Sequence, residues 1–484
     1  MVALGNMGWL SELSIRVSNH GDQNLKRPSE DPKKTSNNLG ILAFETAKTM
    51  SKLLSLYKSL SDEEISRVRN DVFRSEGITY LNSTDENLLL SLACAERLED
   101  LDKSATVVSR LGQKCRDFGL SRFHVIYSDL KLGTIDLRKM EYGSRDIEKR
   151  VEKMEKLIKA TSALYSALEG LAELEVSERR LRQWKEKSPM HLHNANTDHF
   201  YQKLDQQRKD VRHLREISLW SQTFDKCVDL MARTICIVYA RICSVFGPYL
   251  PVVPSISTRS SHQRGIVRIQ TESCTIDTMK EQICSRSGPI PSTSKPNFVR
   301  FYSRKSLIFG LDEDDSFGSK KGAENNRLFQ VAGPSTVGGS GLALRYANVI
   351  VFAEKYLLDS SEPIDADTRE YLYELLPENL KCLVRSKLSK KMMKDSWDQD
   401  EMLARGWRDA LKEILRWLAP IAHNTIQWQM DRNPEKMKFD LKPNVLLLET
   451  LHFSDKEKTE AAIAEVLVAL SCICRYEGSR SSES

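Results

Sequence analysis

The chain has 484 residues, of which 29% are charged and 40% hydrophobic, with a formal net charge of +5. That composition suits a folded protein with room for roughly two to four domains, and so small a positive charge gives no reason to expect a nucleic-acid partner. The ten cysteines lie mostly inside apolar helical patterns and form no C-x-x-C pair, which points to reduced thiols and an intracellular protein.

Residues 1–38 are mostly polar and read as a disordered tail. Two small basic clusters, Lys26-Arg27-Pro28 and Lys33-Lys34, give a weak nuclear-import feature. Val2 stands where N-myristoylation requires glycine, so the written N-terminus carries no such signal. From Leu39 the pattern turns helical, with Ala43, Ala47, Met50, Leu54 and Tyr57 forming one apolar stripe. Ser61-Asp-Glu-Glu64 and Ser83-Thr-Asp-Glu86 read as capping boxes that start new helices.

The spacing then predicts one long helix over 144–187. Ile147, Val151, Met154, Ile158, Tyr165, Leu168 and Ala172 follow a coiled-coil-like seam, broken at Thr161. An intramolecular helical hairpin is favoured over a dimerisation arm, with self-association through 144–187 kept as the alternative. His191, His193 and His199 match no zinc spacing and are taken as solvated loop residues. Cys227–Tyr249 is the most apolar stretch, but Asp229, Arg233 and Arg241 favour a buried helix over a membrane span. No transmembrane segment is expected, and 39–250 forms an N-terminal helical module.

Residues 251–334 are rich in Ser, Pro and Arg and read as a disordered linker. Between 252 and 305 nine Lys/Arg stand against three Asp/Glu, and Asp312-Glu-Asp-Asp315 then reverses the sign. Ser303 and Ser306, beside basic residues, are candidate phosphorylation sites. A C-terminal helical module follows over 335–475. Its strongest stripe, from Met402 to Leu418, is expected to end at Pro420. Ser454-Asp-Lys-Glu457 is a third capping box, and 476–484 reads as a frayed tail. The fold class is mainly α: two multi-helix modules joined by a long disordered linker.

The glycine-rich stretch Gly333–Gly341 opens the second module and is the one place that suggests ligand chemistry. A P-loop needs G-x-x-x-x-G-K-[ST], and Gly333 and Gly338 have that spacing, but Gly339 stands where the lysine must be. Without that charge, nucleotide hydrolysis is not expected. A weaker option is a partner or anion contact through Gly338, Gly339, Ser340, Gly341, Arg345 and Asn348 at a helix start. No catalytic, metal or cofactor constellation stands out.

Several blocks resemble one plant family, the phytosulfokine-simulator proteins. Leu39-Gly-Ile-Leu-Ala-Phe-Glu-Thr-Ala-Lys-Thr-Met-Ser-Lys52 with Ser59-Leu-Ser-Asp62 resembles the family's N-terminal domain of unknown function (DUF3475), about 39–95. Ser335-Thr-Val-Gly-Gly-Ser-Gly-Leu-Ala-Leu-Arg-Tyr-Ala-Asn-Val-Ile350 resembles its C-terminal domain of unknown function (DUF668), about 335–422. Leu415-Arg-Trp-Leu-Ala-Pro-Ile-Ala-His-Asn-Thr425 and Glu449-Thr-Leu-His-Phe-Ser-Asp-Lys-Glu-Lys-Thr-Glu460 extend the match. The resemblance implies a non-enzymatic regulator or adapter that promotes plant growth, works through protein partners in phytosulfokine signalling, and resides in the nucleus with a share in the cytoplasm. The alternative is a nucleotide- or phosphate-dependent switch acting through 333–341.

Overall fold

The computed structural model describes residues 38–135, 144–187, 195–250, 328–358, 372–392, 401–432, 439 and 444–483. Of the expected 1–38 tail and 251–334 linker, residues 1–37 and 251–327 lie outside them, as do Ser303, Ser306, His191 and His193. Among the described residues the regular structure is helical, with two isolated β-bridges, Asn38–Thr223 and Thr336–Asp455. In order these are α1 (Leu42–Lys58), α2 (Asp62–Arg67), α3 (Glu76–Leu81), α4 (Glu86–Gly112), α5 (Phe118–Ser121), α6 (Phe123–Lys131), α7 (Ser144–Lys187), α8 (Ala195–Ile217) and α9 (Phe224–Phe246). After the undescribed stretch come α10 (Ala343–Leu358), α11 (Glu378–Met392), α12 (Glu401–Arg432) and α13 (Lys456–Glu483).

Both helical modules are present, and in space they share one core: the described residues of 38–250 and of 328–483 belong to a single compact unit. The reason is visible in the buried stripes. Met50, Leu101, Val228 and Ile235 of the first half lie in the same apolar cluster as Ile350, Leu418, Ile421 and Val466 of the second. α9 is long and apolar enough to cross a membrane, yet here Val228, Met231, Ile235 and Ile242 are fully buried in that cluster. α7 is about 66 Å long at 1.5 Å per residue. Its seam residues Met154 and Ile158 are buried, Tyr165 and Leu168 are half-buried and Ala172 is exposed, and α7 packs on α1 and α8, forming the intramolecular hairpin. Thr161 breaks the seam for a reason: its hydroxyl donates to the Leu157 carbonyl at 2.7 Å and accepts the Leu219 N–H at 3.1 Å.

The local signals hold with instructive exceptions. Ser61 caps α2 by accepting the Glu64 N–H at 3.2 Å. At α4 the cap is Asp85, which takes the Asn87 N–H, and Ser83 instead accepts the Asp85 N–H. At α13 the cap is Asp455, while Ser454 donates to Asn82 at 2.9 Å. Pro420 does not end its helix: α12 runs through it to Arg432. Leu415, Leu418, Ile421 and Ala422 are buried on both sides of the proline, and that packing outweighs the lost backbone bond. The 476–484 tail is correspondingly shorter, since α13 continues to Glu483. The linker also ends earlier than 334, because Leu328 is buried and Phe329–Val331 form a 3-10 turn.

The halves are joined by close backbone approach and by a buried charge. At Gly77 a Cβ would lie 2.4 Å from Ile421 Cδ1 and 2.7 Å from the Trp417 carbonyl, so only glycine lets α3 sit this close to α12. Glu96, 4% exposed, accepts from Trp428 Nε1 at 3.1 Å, from the Leu447 N–H at 2.7 Å and from Arg432 Nη2 at 2.9 Å. Arg432 also binds Asp100 at 3.0 and 3.1 Å and lies over the Trp428 ring. Removing one partner of such a buried pair leaves an uncompensated charge, so Arg432→Ala is expected to cost about 3–5 kcal/mol in urea unfolding. The double variant Arg432→Ala/Glu96→Gln should recover part of that loss. A single variant as stable as the parent would show that the ion pair does not hold the halves together.

Candidate functional site

The glycine-rich stretch folds as a tight coil laid against the segment before α13. Val337 N–H donates to the Ser454 carbonyl and Gly338 N–H to the His452 carbonyl, both at 2.9 Å. Lys456 N–H returns a bond to the Ser335 carbonyl at 2.9 Å. Inside the coil Thr336 N–H meets the Gly333 carbonyl, Gly339 N–H the Thr336 hydroxyl, and Ser340 N–H the Thr336 carbonyl. Gly341 N–H meets the Gly338 carbonyl and Leu342 N–H the Val337 carbonyl. Every backbone N–H from Thr336 to Leu342 therefore already has an acceptor within the fold, and none of these is left to cradle a phosphate. Ser340 Oγ donates to the Val337 carbonyl at 2.8 Å. Arg345 is exposed and Asn348 half-buried, one to two turns into α10.

Each glycine has its own reason. A Cβ on Gly338 would stand 2.2 Å from His452 Nδ1 and 2.4 Å from its carbonyl, and one on Gly339 would stand 2.1 Å from the Gly333 carbonyl. Gly341 has a φ of +71°, open to glycine at little cost. These contacts make Gly338→Ala and Gly339→Ala destabilising by about 2–3 kcal/mol through overpacking. Gly333→Ala, with its nearest neighbour at 3.9 Å, should be close to neutral. Thermal unfolding of the three variants checks the order, and equal effects at all three positions would contradict it.

His452 ties the coil to the residues that precede it. It is 2% exposed, its Nε2–H donates to the Phe329 carbonyl at 3.2 Å, and its ring lies 4.1 Å from that of Phe329. Phe329 stacks in turn on Trp428. Burial pushes the His452 pKa down from 6.5 to about 4, against the weaker effect of the Phe329 carbonyl. The imidazole is thus neutral at physiological pH. Since the folded pKa lies below the unfolded one, its contribution is complete above pH 6.5 and is lost as pH falls towards about 4. The full loss is up to about 3 kcal/mol. The parent chain should lose more stability between pH 7 and pH 4.5 than His452→Gln does; parallel pH profiles would remove His452 as the titrating group.

Beside this coil lies a cavity of about 10 Å³, lined by Glu96, Glu99, Asp100, Phe329, Trp428 and Arg432 among others. It has room for about one water and none for a nucleotide. Burial pushes the Glu96 carboxyl up, with Arg432 opposing it. Arg432 is itself held above the ordinary guanidinium value, as Asp100 and Glu96 outweigh its burial. Among the described residues no three His, Cys, Asp or Glu side chains gather to hold a metal. His199 lies on α8. Glu96, Arg432, Trp428 and His452 are the residues that sequence reading missed. The available signal was polarity inside apolar runs: Glu96-Arg97 interrupts the stripe of α4, and His452 sits between Leu451 and Phe453.

The comparisons with known proteins agree with this organisation. The family described as "Domain of unknown function (DUF3475)" matches residues 41–97, and "Protein of unknown function (DUF668)" matches 336–427. Among curated proteins, the chain is 26% identical over 444 residues to Protein PSK SIMULATOR 3 of Arabidopsis thaliana, covering 90% of this chain and 56% of that protein. It is 25% identical over 449 residues to Protein PSK SIMULATOR 1 of the same plant, covering 90% and 55%. The chain spans a little over half the length of these relatives. No solved structure matches. With both domain models matched and the relatives aligned along nine-tenths of its length, the chain is similar to the PSK SIMULATOR proteins of Arabidopsis thaliana.

Proposed function

We propose that this chain is a regulatory, adapter-type protein of phytosulfokine signalling that promotes growth by binding other proteins, without chemistry of its own. The observation that carries the reading is the alignment along nine-tenths of the chain, at 25–26% identity, with proteins named PSK SIMULATOR. A structural feature supports it: residues of the DUF3475 and DUF668 regions share one apolar core, so the two regions are held in one compact unit. Near their junction Phe329 and Val331 stand exposed, Val331 at 61%. The nucleus, with a share in the cytoplasm, is the proposed location, on the basic clusters of residues 26–34. The occupied N–H groups of the coil at 336–342 argue against the phosphate-switch alternative.

Raising the level of the chain in seedlings should increase phytosulfokine-dependent root elongation, and Gly338→Trp, which cannot pack against His452, should not. Titration of the purified chain with Mg-ATP should show no saturable binding. A folded, expressed chain without effect on the hormone response would overturn the signalling role, and saturable nucleotide binding would overturn the adapter reading in favour of a switch.

A further inference from the structure

The α7–α8 hairpin changes character along its length. Up to Leu171 its apolar residues pack into clusters with α1 and with Trp220 and Phe439. Beyond that point α7 packs on α8, with Leu204 buried and Glu178 bound to both Arg182 and Arg208. The opposite face of this distal part is exposed from Glu169 to Trp184, with Val176 at 37% and Trp184 at 56%.

That face has a segregated charge pattern. Glu169 and Glu173 lie on the N-terminal side of Val176, and Arg179 and Arg180 on the C-terminal side. At 100° per residue all five fall within one side of the helix. Among the described residues no ion pair within the chain takes up the side chains of Glu173, Arg179 or Arg180. An antiparallel copy of the same face, related by a two-fold axis at Val176, brings Glu173 of each helix opposite Arg179 and Arg180 of the other. It also sets Trp184 over the 168–172 stretch, where Ala172 leaves room. A surface that is complementary to itself in this way is what a two-fold interface requires. A parallel pairing would oppose like charges along the whole face.

The geometry points to the distal α7 face as a self-association surface, whose partner is a second copy of this chain paired antiparallel about Val176. The two hairpins then lie in a row with α7 against α7 at its centre, which covers Val176 and Trp184, exposed in the single chain. Because exposed charges set the register, the association weakens with salt.

Sedimentation of the full chain over a dilution series tests this. The parent should be in monomer–dimer exchange, with the dimer weakened between about 0.05 and about 0.5 M salt. Glu173→Arg alone, or Arg179→Glu with Arg180→Glu, should weaken the dimer about tenfold or more by placing like charges opposite one another. The triple variant, with the signs exchanged, should restore it, and Trp184→Ser should weaken it independently of salt. All these side chains are exposed, and far-UV circular dichroism confirms that the variants stay folded. A parent monomeric throughout the series would overturn the proposal, as would a dimer indifferent to the charge reversals.

Discussion

A carboxylate taken out of water must find its hydrogen bonds and its counter-charge elsewhere, and Glu96 finds both on the far half of the chain. Trp428, Leu447 and Arg432 supply an indole N–H, a backbone N–H and a guanidinium. The cost of burying Glu96 is offset only while α12 and the 444–455 segment stay in place. Much else follows from that constraint. The C-terminal end of α12 must reach Glu96 and Asp100 of α4, α3 must approach α12 closely at Gly77, and Asn82 can then bridge the Leu448 carbonyl and Ser454. Two stretches that read as separate modules become one folding unit, because neither can satisfy its buried polar groups alone.

The same logic recasts the glycine-rich coil. Glycines near a helix start suggest anion binding because they free backbone N–H groups and allow close approach of a ligand. Here what approaches closely is the chain itself. His452 and the backbone of 452–456 fill the position a ligand would take, and the neutral imidazole suits a site with no counter-charge. The coil acts as a clasp between the start of α10 and the start of α13, holding the DUF668 region on the helix that closes the core.

How much of this was legible depends on range. The stripe of α1, the Ser61 cap and the extent of α7 follow from neighbours within a few residues, and the sequence displays them directly. The caps at Asp85 and Asp455 lie one residue from Ser454 and two from Ser83, because adjacent hydroxyl and carboxylate groups compete and the pattern names only the neighbourhood. Pro420 was misleading for a related reason. Its local penalty is real, but the buried residues flanking it lie against α10 and α13, and no window around the proline contains those helices.

By itself the sequence determined the helical class, the position of most helices, the order of the two domains and the absence of a P-loop lysine at 339. It also displayed the charge segregation about Val176, which needed no folding to be read. Only the tertiary structure decided which face of α7 stays exposed, that the two halves share a core, and that the coil's N–H groups are occupied. The physical reason is that periodicity and capping are settled within about one helical turn. The acceptor that a buried donor finds is settled by whatever distant segment packs against it: Trp428 meets Glu96 across 332 residues of chain.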